Sequence, residues 1–174
     1  MTKSQVSIAL LCFIFIMLGA LVAERYLTPD LDEEFLAVAA SGGDLSKYRE
    51  ALPPSGFSRV YRIGATPNSL RIVPGADNPK NYFLRLTDAE TGHPVVDFFV
   101  RAGHDEMVRV PNGVLRLHQA TGDAWYGYSR LFGPDTTFTE IQTNIVFSGD
   151  EHYVISFNSS NGNLTSKDIS KRDF

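Results

Sequence analysis

The chain has 174 residues, a formal net charge of −4 and 43% hydrophobic residues. No run of Lys and Arg is longer than two residues (Lys171 and Arg172), which argues against nucleic acid as a partner, because phosphate binding needs a concentrated basic surface. The single cysteine, Cys12, lies in an apolar stretch near the N-terminus, so the rest of the chain has neither a disulfide nor a thiol nucleophile.

The apolar stretch, residues 6–23, is the first predicted element, and it holds one hydroxyl group and no charge. At about 1.5 Å per helical residue it reaches about 27 Å, roughly the hydrocarbon thickness of a bilayer. We therefore predict a single transmembrane helix, and hence the membrane as a partner. Two alternatives stay open. One is a cleaved signal peptide, for which Leu21 and Leu18 stand where small residues are needed, and the other is a buried helix of a soluble protein.

The orientation of the span follows from its flanks. Lys3 and the terminal amine precede it and Arg25 follows it, but only the N-terminal side is short enough for the positive-inside rule. We expect residues 1–5 in the cytoplasm and the C-terminal domain in the periplasm or extracellular space. An exported domain without disulfides fits a bacterial envelope better than a eukaryotic cell surface, so the predicted location is the bacterial inner membrane.

Residues 24–56 are predicted to form a juxtamembrane helical or linker region. Asp30 is a candidate N-cap for a short helix over residues 31–40, which a Ser-Gly-Gly sequence ends. Asp44 is a candidate cap for a second short helix, and residues 53–56, Pro-Pro-Ser-Gly, stop it. This region is either a stalk or partner-binding hairpin, or a spacer that packs on the following domain.

From Phe57 onward, apolar residues alternate with polar ones, which is the period of a β-strand. The alternating segments, each bounded by Gly, Asn, Asp or Pro, are residues 57–63, 82–87, 96–100, 108–110, 115–117, 145–147 and 153–157. Short turns between them indicate antiparallel hairpins, including one through Pro111-Asn112-Gly113 and one through Gly149-Asp150. The predicted fold class is mainly β, with residues 57–174 forming an antiparallel β-sandwich of about seven strands.

Two segments resemble a known type of β-sandwich. Residues 84–95 read as a strand, a D-x-x-T-G-x-P turn and a strand, which resembles the opening hairpin of carboxypeptidase-regulatory-like, transthyretin-type domains. Residues 110–117 resemble their V-P-x-G-x-Y-x-L hairpin, with Val114-Leu115 where an aromatic is common. Residues 124–136 and 161–170 resemble an uncharacterised membrane-anchored bacterial β-domain family. These resemblances imply a recognition or structural module and no particular activity.

Four aromatic residues that lie close together in the chain are the candidate contact with a partner: Trp125, Tyr126, Tyr128 and Phe132. Flat rings with polar edges stack on sugars or anchor a protein partner, and the neighbouring glycines and proline indicate a tight loop. The alternative is that Trp125 and Phe132 close one end of the sandwich as part of its core.

Four arginines are predicted on outward positions of adjacent hairpins: Arg85, Arg101, Arg109 and Arg116. With interspersed acids they indicate a solvated sheet face that guards against aggregation, or alternatively a patch for anionic headgroups or cell-wall polymer.

Catalytic signals are sparse. His104 and His152 lie beside acidic residues, which is the basis of a metal-site alternative, but no histidine spacing brings two ligands together. Ser129 follows Gly127-Tyr128 as in a nucleophile elbow, without the second glycine or a following helix. No glycine-rich phosphate loop opens a helix, and we expect no catalytic residue, cofactor or metal.

The sequence therefore predicts a membrane-anchored, non-catalytic β-sandwich module that binds a protein or glycan partner in the cell envelope. One alternative is an accessory subunit of a membrane transport, secretion or defence assembly, whose span packs on other helices through Gly19 and Ala20. Another is a metal-dependent hydrolase. The sequence makes no prediction of oligomeric state.

Overall fold

The computed structural model describes residues 31–62, 64–75, 80–157 and 164–174. The chain divides into two compact units with the boundary between Lys47 and Tyr48. The predicted span, residues 6–23, and the candidate cap Asp30 lie outside the described residues. Within the described part, no helix combines the length and the apolar content needed to cross a membrane.

The described part of the first unit contains one helix, α1 (Leu31–Ala40), with the predicted bounds. Gly42 lies in the turn that follows it, and its φ of +69° is the left-handed conformation that favours glycine after a helix. The carboxylate of Asp44 accepts the N–H of Ser46 at 2.8 Å and starts a short 3-10 turn, Ser46–Tyr48. The second predicted helix is therefore present only as a single turn.

The described residues of the second unit contain ten strands. They are β1 (Ser58–Val60), β2 (Asn68–Pro74), β3 (Asn81–Asp88), β4 (Pro94–Val100), β5 (Glu106–Val110), β6 (Gly113–Gly122), β7 (Thr137–Ile141), β8 (Ile145–Phe147), β9 (His152–Phe157) and β10 (Ser166–Asp168). A 3-10 turn, Gly133–Asp135, precedes β7. The large sheet has the order β1-β4-β3-β6-β7-β10, with β8 also pairing with β6, and the small sheet has the order β5-β2-β9. The fold is mainly β and sandwich-like, as predicted.

Three of these strands were not predicted: β2, β7 and β10. The sequence before β2 is rich in Gly, Pro and Asn, which indicate loops. Strand β7 is Thr-Phe-Thr-Glu-Ile and β10 is Ser-Lys-Asp, so neither shows an apolar period. Their extended backbone is stabilised by pairing with neighbours, Ser166–Asp168 lying antiparallel to residues 139–141.

The connections between strands confirm one predicted hairpin and correct two. Strands β3 and β4 pair antiparallel, and Asp88 Oδ1 in their turn accepts the N–H groups of Glu90 and Thr91. The turn through Pro111-Asn112-Gly113 instead leads from β5 in the small sheet to β6 in the large one, and β8 to β9 crosses in the opposite direction. Strand β9 also lies parallel to β2, so the sheets are not wholly antiparallel.

The main core lies between the two sheets. It is built from alternate residues of the strands that face each other, such as Leu70, Ile72, Leu84, Leu86, Phe98, Leu117 and Ile155, all nearly inaccessible to solvent. A second apolar cluster lies on the outer face of the large sheet: Phe83, Phe99, Ala120, Trp125, Leu131 and Phe132. Strand β3 is therefore apolar on both faces at Tyr82 and Phe83, because each face is covered.

Residues 48–56 belong to this second unit and pack on the large sheet. The Arg101 guanidinium donates to the carbonyl oxygens of Leu52 and Pro53 at 2.8 and 2.9 Å. The N–H of Gly56 donates to the carbonyl of Phe99 at 2.9 Å, and Leu52 contacts the outer apolar cluster. This part of the predicted juxtamembrane region, residues 24–56, thus follows the packed-spacer interpretation.

Candidate functional site

The aromatic segment after β6 covers the outer face of the large sheet. The Trp125 ring lies with its centroid 5.3 Å from that of Phe99 and 5.4 Å from that of Phe132, both edge-on. Trp125 is only 2% exposed and Phe132 only 1%. A Cβ at Gly122 would overlap Phe132, so glycine at the end of β6 is what lets this ring approach the strand.

This burial corrects the prediction that Trp125 and Phe132 are contact residues. Their rings complete an apolar layer on Phe83 and Phe99 and leave almost no surface for a partner to contact. The alternative interpretation of these two rings, as part of the core, is the one that the structure shows. Tyr126 is half-buried, and Tyr128 is 36% exposed.

The backbone from Tyr126 to Leu131 is a closed loop. The N–H of Tyr126 donates to the carbonyl of Leu131 at 2.8 Å, and the N–H of Leu131 donates to the carbonyl of Gly127 at 2.7 Å. Leu131 has a φ of +53°, a conformation that costs a non-glycine residue about 1–3 kcal/mol. Its side chain is buried in the outer cluster, which stabilises this strained backbone and keeps the loop in one shape.

Tyr128 is the aromatic residue that this loop exposes most to solvent. Its ring centroid lies 5.7 Å from that of Phe57, which is 37% exposed, and 4.4 Å from the central carbon of the Arg59 guanidinium. We name Phe57, Arg59 and Tyr128 the Tyr128 surface. Burial of the phenol raises the pKa of Tyr128 above its ordinary value of 10.0, although Arg59 acts in the opposite direction, so the hydroxyl is a neutral donor at neutral pH.

A row of charged and polar side chains crosses the same face of the large sheet beside the Tyr128 surface. Its members are paired in register across six strands: Arg59 with Asp97, Asp97 with Arg85, Arg85 with His118, His118 with Glu140, and Glu140 with Lys167. We name these six residues the charged row. Opposite charges alternate along it, with His118 near the middle, so each charge has a neighbour of opposite sign or an imidazole.

Asp97 is the most buried member of the charged row, at 2% exposure. Arg85 makes a bidentate contact with it: Nε donates to Oδ1 and Nη2 donates to Oδ2, each at 2.8 Å. The hydroxyl of Tyr61 also donates to Oδ2 at 2.7 Å. The hydrogen bond to Asp97 raises the pKa of the Arg85 guanidinium above its ordinary value, so this guanidinium stays charged.

The predicted arginine face is corrected by this arrangement. Arg85 and Arg116 lie on the outer face of the large sheet, but Arg109 lies on the small sheet opposite Ser69. Arg101 follows β4 and anchors Leu52 and Pro53 instead of facing solvent with the others. The four arginines therefore do not form one patch.

His118 is buried in the charged row with an incomplete set of hydrogen bonds. Its Nε2 lies 3.1 Å from Thr87 Oγ1. Its Nδ1 has no hydrogen-bond partner among the described residues and lies 3.8 Å from Glu140 Oε2. Burial lowers the pKa of His118 below its ordinary value of 6.5, an effect that Glu140 opposes and that Arg116 and Arg85 reinforce. The ring is therefore neutral in the folded protein at neutral pH.

Acidification is expected to destabilise the fold through His118. The unfolded chain protonates this imidazole more readily than the folded one does. The contribution of neutral His118 to the free energy of unfolding is therefore fully present above a pH of about 6.5 and is lost as the pH falls towards the lowered pKa. Urea midpoints measured from pH 7.5 down to about 5.5 should fall more steeply for the wild-type protein than for His118→Gln. Parallel curves for the two proteins would contradict this role.

The other predicted polar candidates do not form a metal-binding group of three or more among the described residues. His152 Nδ1 lies 2.7 Å from Ser69 Oγ, and its Nε2 lies 3.6 Å from Asp150 Oδ1. Within the parts of the chain that the structure describes, no group of three or more His, Cys, Asp or Glu is arranged to hold a metal ion. The alternative of a metal-dependent hydrolase through His104 and His152 thus has no ligand set there. Ser129 lies in a turn, and no α-helix follows it within that described part.

Comparison with known proteins adds no family to this picture. No protein-family model, no curated protein and no solved structure matches the chain. The function is therefore inferred from the geometry of the second unit and from the residues that it presents to solvent.

Proposed function

We propose that the second unit is a non-catalytic recognition module that binds a protein partner through the Tyr128 surface. The observation that supports this most is the combination of an exposed tyrosine and arginine with a rigid, buried support. Tyr and Arg are enriched among the residues that contribute most to protein interfaces. Here Trp125 and the strained Leu131 hold the loop that carries Tyr128 in one conformation.

A fixed loop favours binding, because a side chain that is already ordered loses little conformational entropy in a complex. The ring of Tyr128 is held between Arg59, at 4.4 Å, and the edge-on ring of Trp125, at 5.3 Å between centroids. Its hydroxyl and outer edge are the parts that remain for contact. This arrangement is the one expected for the centre of a protein interface, where aromatic rings are packed on one side before the partner arrives.

A protein partner is favoured over a glycan by the same contacts. Sugars bind tyrosine by stacking on an open ring face. On Tyr128 the guanidinium of Arg59 covers one ring face, and the rings of Phe57, Phe83 and Trp125 pack around the rest of the ring. An interface between proteins needs no open ring face, since it uses the hydroxyl, the ring edge and the neighbouring cation.

We further propose that the module is anchored in the bacterial inner membrane by residues 6–23 and works on the periplasmic or extracellular side. This proposal is supported by the apolar length of that segment and by its flanking charges. An anchor confines the module to the membrane surface, which raises its effective concentration towards a partner held in the same envelope.

The experiment is mild crosslinking of the full-length protein in its native membrane, identification of the captured protein, and comparison with Tyr128→Ala and Arg59→Ala. Each substitution is expected to reduce the recovery of the specific partner by about tenfold or more, as for a residue at the centre of an interface. The matched control is Arg71→Ala, which removes an exposed arginine from the small sheet. A partner recovered equally with all three variants would overturn the proposed surface.

A further inference from the structure

Residues 169–174 form a strap on the outer face of the large sheet. The strap continues from the edge strand β10, and the N–H of Ile169 donates to the carbonyl of Phe138 in β7 at 3.1 Å. A turn follows at residues 170–173. It brings Phe174 back to the sheet, where the ring packs against the outer apolar cluster.

The ring of Phe174 is bound by four side chains of the large sheet. Its centroid lies 5.3 Å from that of Phe138 and 6.1 Å from that of Phe83. The imidazole of His118 is perpendicular to it at 6.3 Å, and the central carbon of the Arg85 guanidinium lies 5.1 Å from its centroid. We name Phe83, Arg85, His118 and Phe138 the Phe174 site. Its ring contacts and its cation favour an aromatic side chain over an aliphatic one.

Arg85 also binds the backbone of the strap. Its Nε and Nη2 donate to Asp97, and its Nη1 donates to the carbonyl oxygen of Phe174 at 3.2 Å. The bidentate contact with Asp97 holds the guanidinium in place, so one fixed cation binds both the ring and the carbonyl. An apolar site with a precisely placed polar group is the usual composition of a ligand site.

The strap is mostly exposed to solvent. Ile169 and Phe174 are half-buried, whereas residues 170–173 are exposed. The hydrogen bond from the Lys171 ammonium to the carbonyl of Ser129 is exposed as well. Segments with little burial and exposed hydrogen bonds open at a lower cost in free energy than the core of a fold does. The strap can therefore leave the sheet while the strands stay folded.

The Phe174 site adjoins the Tyr128 surface. The ring of Phe83 contacts both, since its centroid lies 5.9 Å from that of Tyr128 and 6.1 Å from that of Phe174. A standard protein interface covers about 800 Å² on each partner, which is far more than three residues provide. A protein that binds the Tyr128 surface therefore also contacts its neighbours, and the strap is one of them.

We propose that the Phe174 site binds an aromatic residue of the protein partner, which takes the place of Phe174 when the strap leaves the sheet. The partner's ring packs on Phe83 and Phe138, and its main-chain carbonyl accepts the hydrogen bond from Arg85. This inference rests on the proposed function and specifies the chemistry of the partner. Because the strap belongs to the same chain, its effective concentration at the site is high. It therefore excludes isolated aromatic peptides and yields to a partner that the Tyr128 surface also holds.

The test of the site itself needs no partner. Its probe is a fluorescein-labelled peptide amide with the sequence of residues 165–174, whose binding to purified full-length protein is measured by fluorescence anisotropy. The strap is opened by Ile169→Ser/Phe174→Ala, which removes both half-buried side chains. We expect the peptide to bind this double variant about tenfold or more tightly than the wild-type protein, whose own Phe174 fills the site. The same peptide with alanine as its last residue should not bind.

Two further comparisons make the assay specific. A peptide with cyclohexylalanine in place of the phenylalanine should bind the double variant about two- to fivefold more weakly, the effect of a lost cation–π contact. The matched control Arg172→Ala changes an exposed residue of the strap and should bind the peptide no better than the wild-type protein does. Far-ultraviolet circular dichroism checks the fold of the double variant, and Phe174→Ala replaces it in the same assay if that fold is lost.

Three results would overturn the proposal: no peptide binding to the opened strap variant, equal binding to the wild-type protein, or equal binding of the alanine or cyclohexylalanine peptide. The crosslinking experiment adds a fourth. A partner that depends on Tyr128 should be recovered in larger amount from Ile169→Ser/Phe174→Ala than from the wild-type protein, and equal recovery would contradict the competition. In that case the proposed function stands, whereas a partner that does not depend on Tyr128 would contradict the proposed function first.

Discussion

Trp125→Ala is expected to destabilise the second unit by about 3–5 kcal/mol, the usual cost of removing a large buried aromatic side chain. The ring is 2% exposed and packs on Phe83, Phe99 and Phe132, so its removal leaves a cavity bounded by other rings. The support of the strained Leu131 backbone would be weakened by the same change. Urea unfolding of the full-length protein followed by far-ultraviolet circular dichroism measures the effect, since Trp125 is the chain's single tryptophan and its fluorescence is lost.

The matched control is Tyr128→Ala. This substitution also removes a ring that packs on the outer cluster, but Tyr128 is 36% exposed. Its cost should stay near 1 kcal/mol or below, as is usual for a residue that keeps much of its surface in water. If Trp125→Ala unfolds at the same urea concentration as the wild-type protein, the packing described for the outer cluster is wrong. Loss of partner binding in Trp125→Ala would by itself say nothing of direct contact.

Asp97→Ala is expected to be comparably destabilising, at about 3–5 kcal/mol, because breaking a buried ion pair leaves the other charge uncompensated. Arg85 would lose both hydrogen bonds of its bidentate contact, and the Tyr61 hydroxyl would lose its acceptor. The value should fall at the lower end of the range, since the Arg85 side chain is 26% exposed and partly reached by water. The free energy of unfolding at neutral pH is the quantity to compare.

The double variant Arg85→Leu/Asp97→Leu distinguishes two contributions to this cost. One is the lost attraction between the two charges, and the other is the penalty of leaving the Arg85 charge without its counter-ion. Replacing both members of a buried pair by apolar residues is often neutral, so the double variant should be more stable than Asp97→Ala. If the double variant instead loses the sum of what Arg85→Leu and Asp97→Leu lose singly, the two side chains act independently. That outcome would contradict the coupling assigned to the charged row.

The period-two pattern predicted most of the strands that build the core. Strand β6 shows it plainly, whereas β3 and β4 also carry apolar residues on their second face, and the turn chemistry at Asp88 and Gly92 predicted the β3–β4 hairpin. Strands such as β10 carry no apolar residue, and they form because the backbone of a neighbour is available for pairing. A local pattern cannot contain that information, since the neighbour comes from a distant part of the chain.

The aromatic segment stands out in the sequence, but only the structure shows which of its rings are buried. Four clustered aromatic residues indicated a loop of interest, and the structure divides them into two buried rings, a half-buried Tyr126 and an exposed Tyr128. The charged row was missed because its six members come from six strands and adjoin only after the sheet has formed. Arg59, which completes the Tyr128 surface, lies in a strand 69 positions earlier in the chain.

What the sequence by itself determined is the local chemistry: helix α1 with the glycine that follows it, the β period and the tight turns. Only the tertiary structure decided which strand pairs with which, that β5–β6 and β8–β9 cross between the sheets, and which aromatic rings are buried. The physical reason is that helix ends and turns depend on neighbours within a few residues. Strand partners and burial depend on contacts between distant segments, whose free energies exist only in the assembled fold.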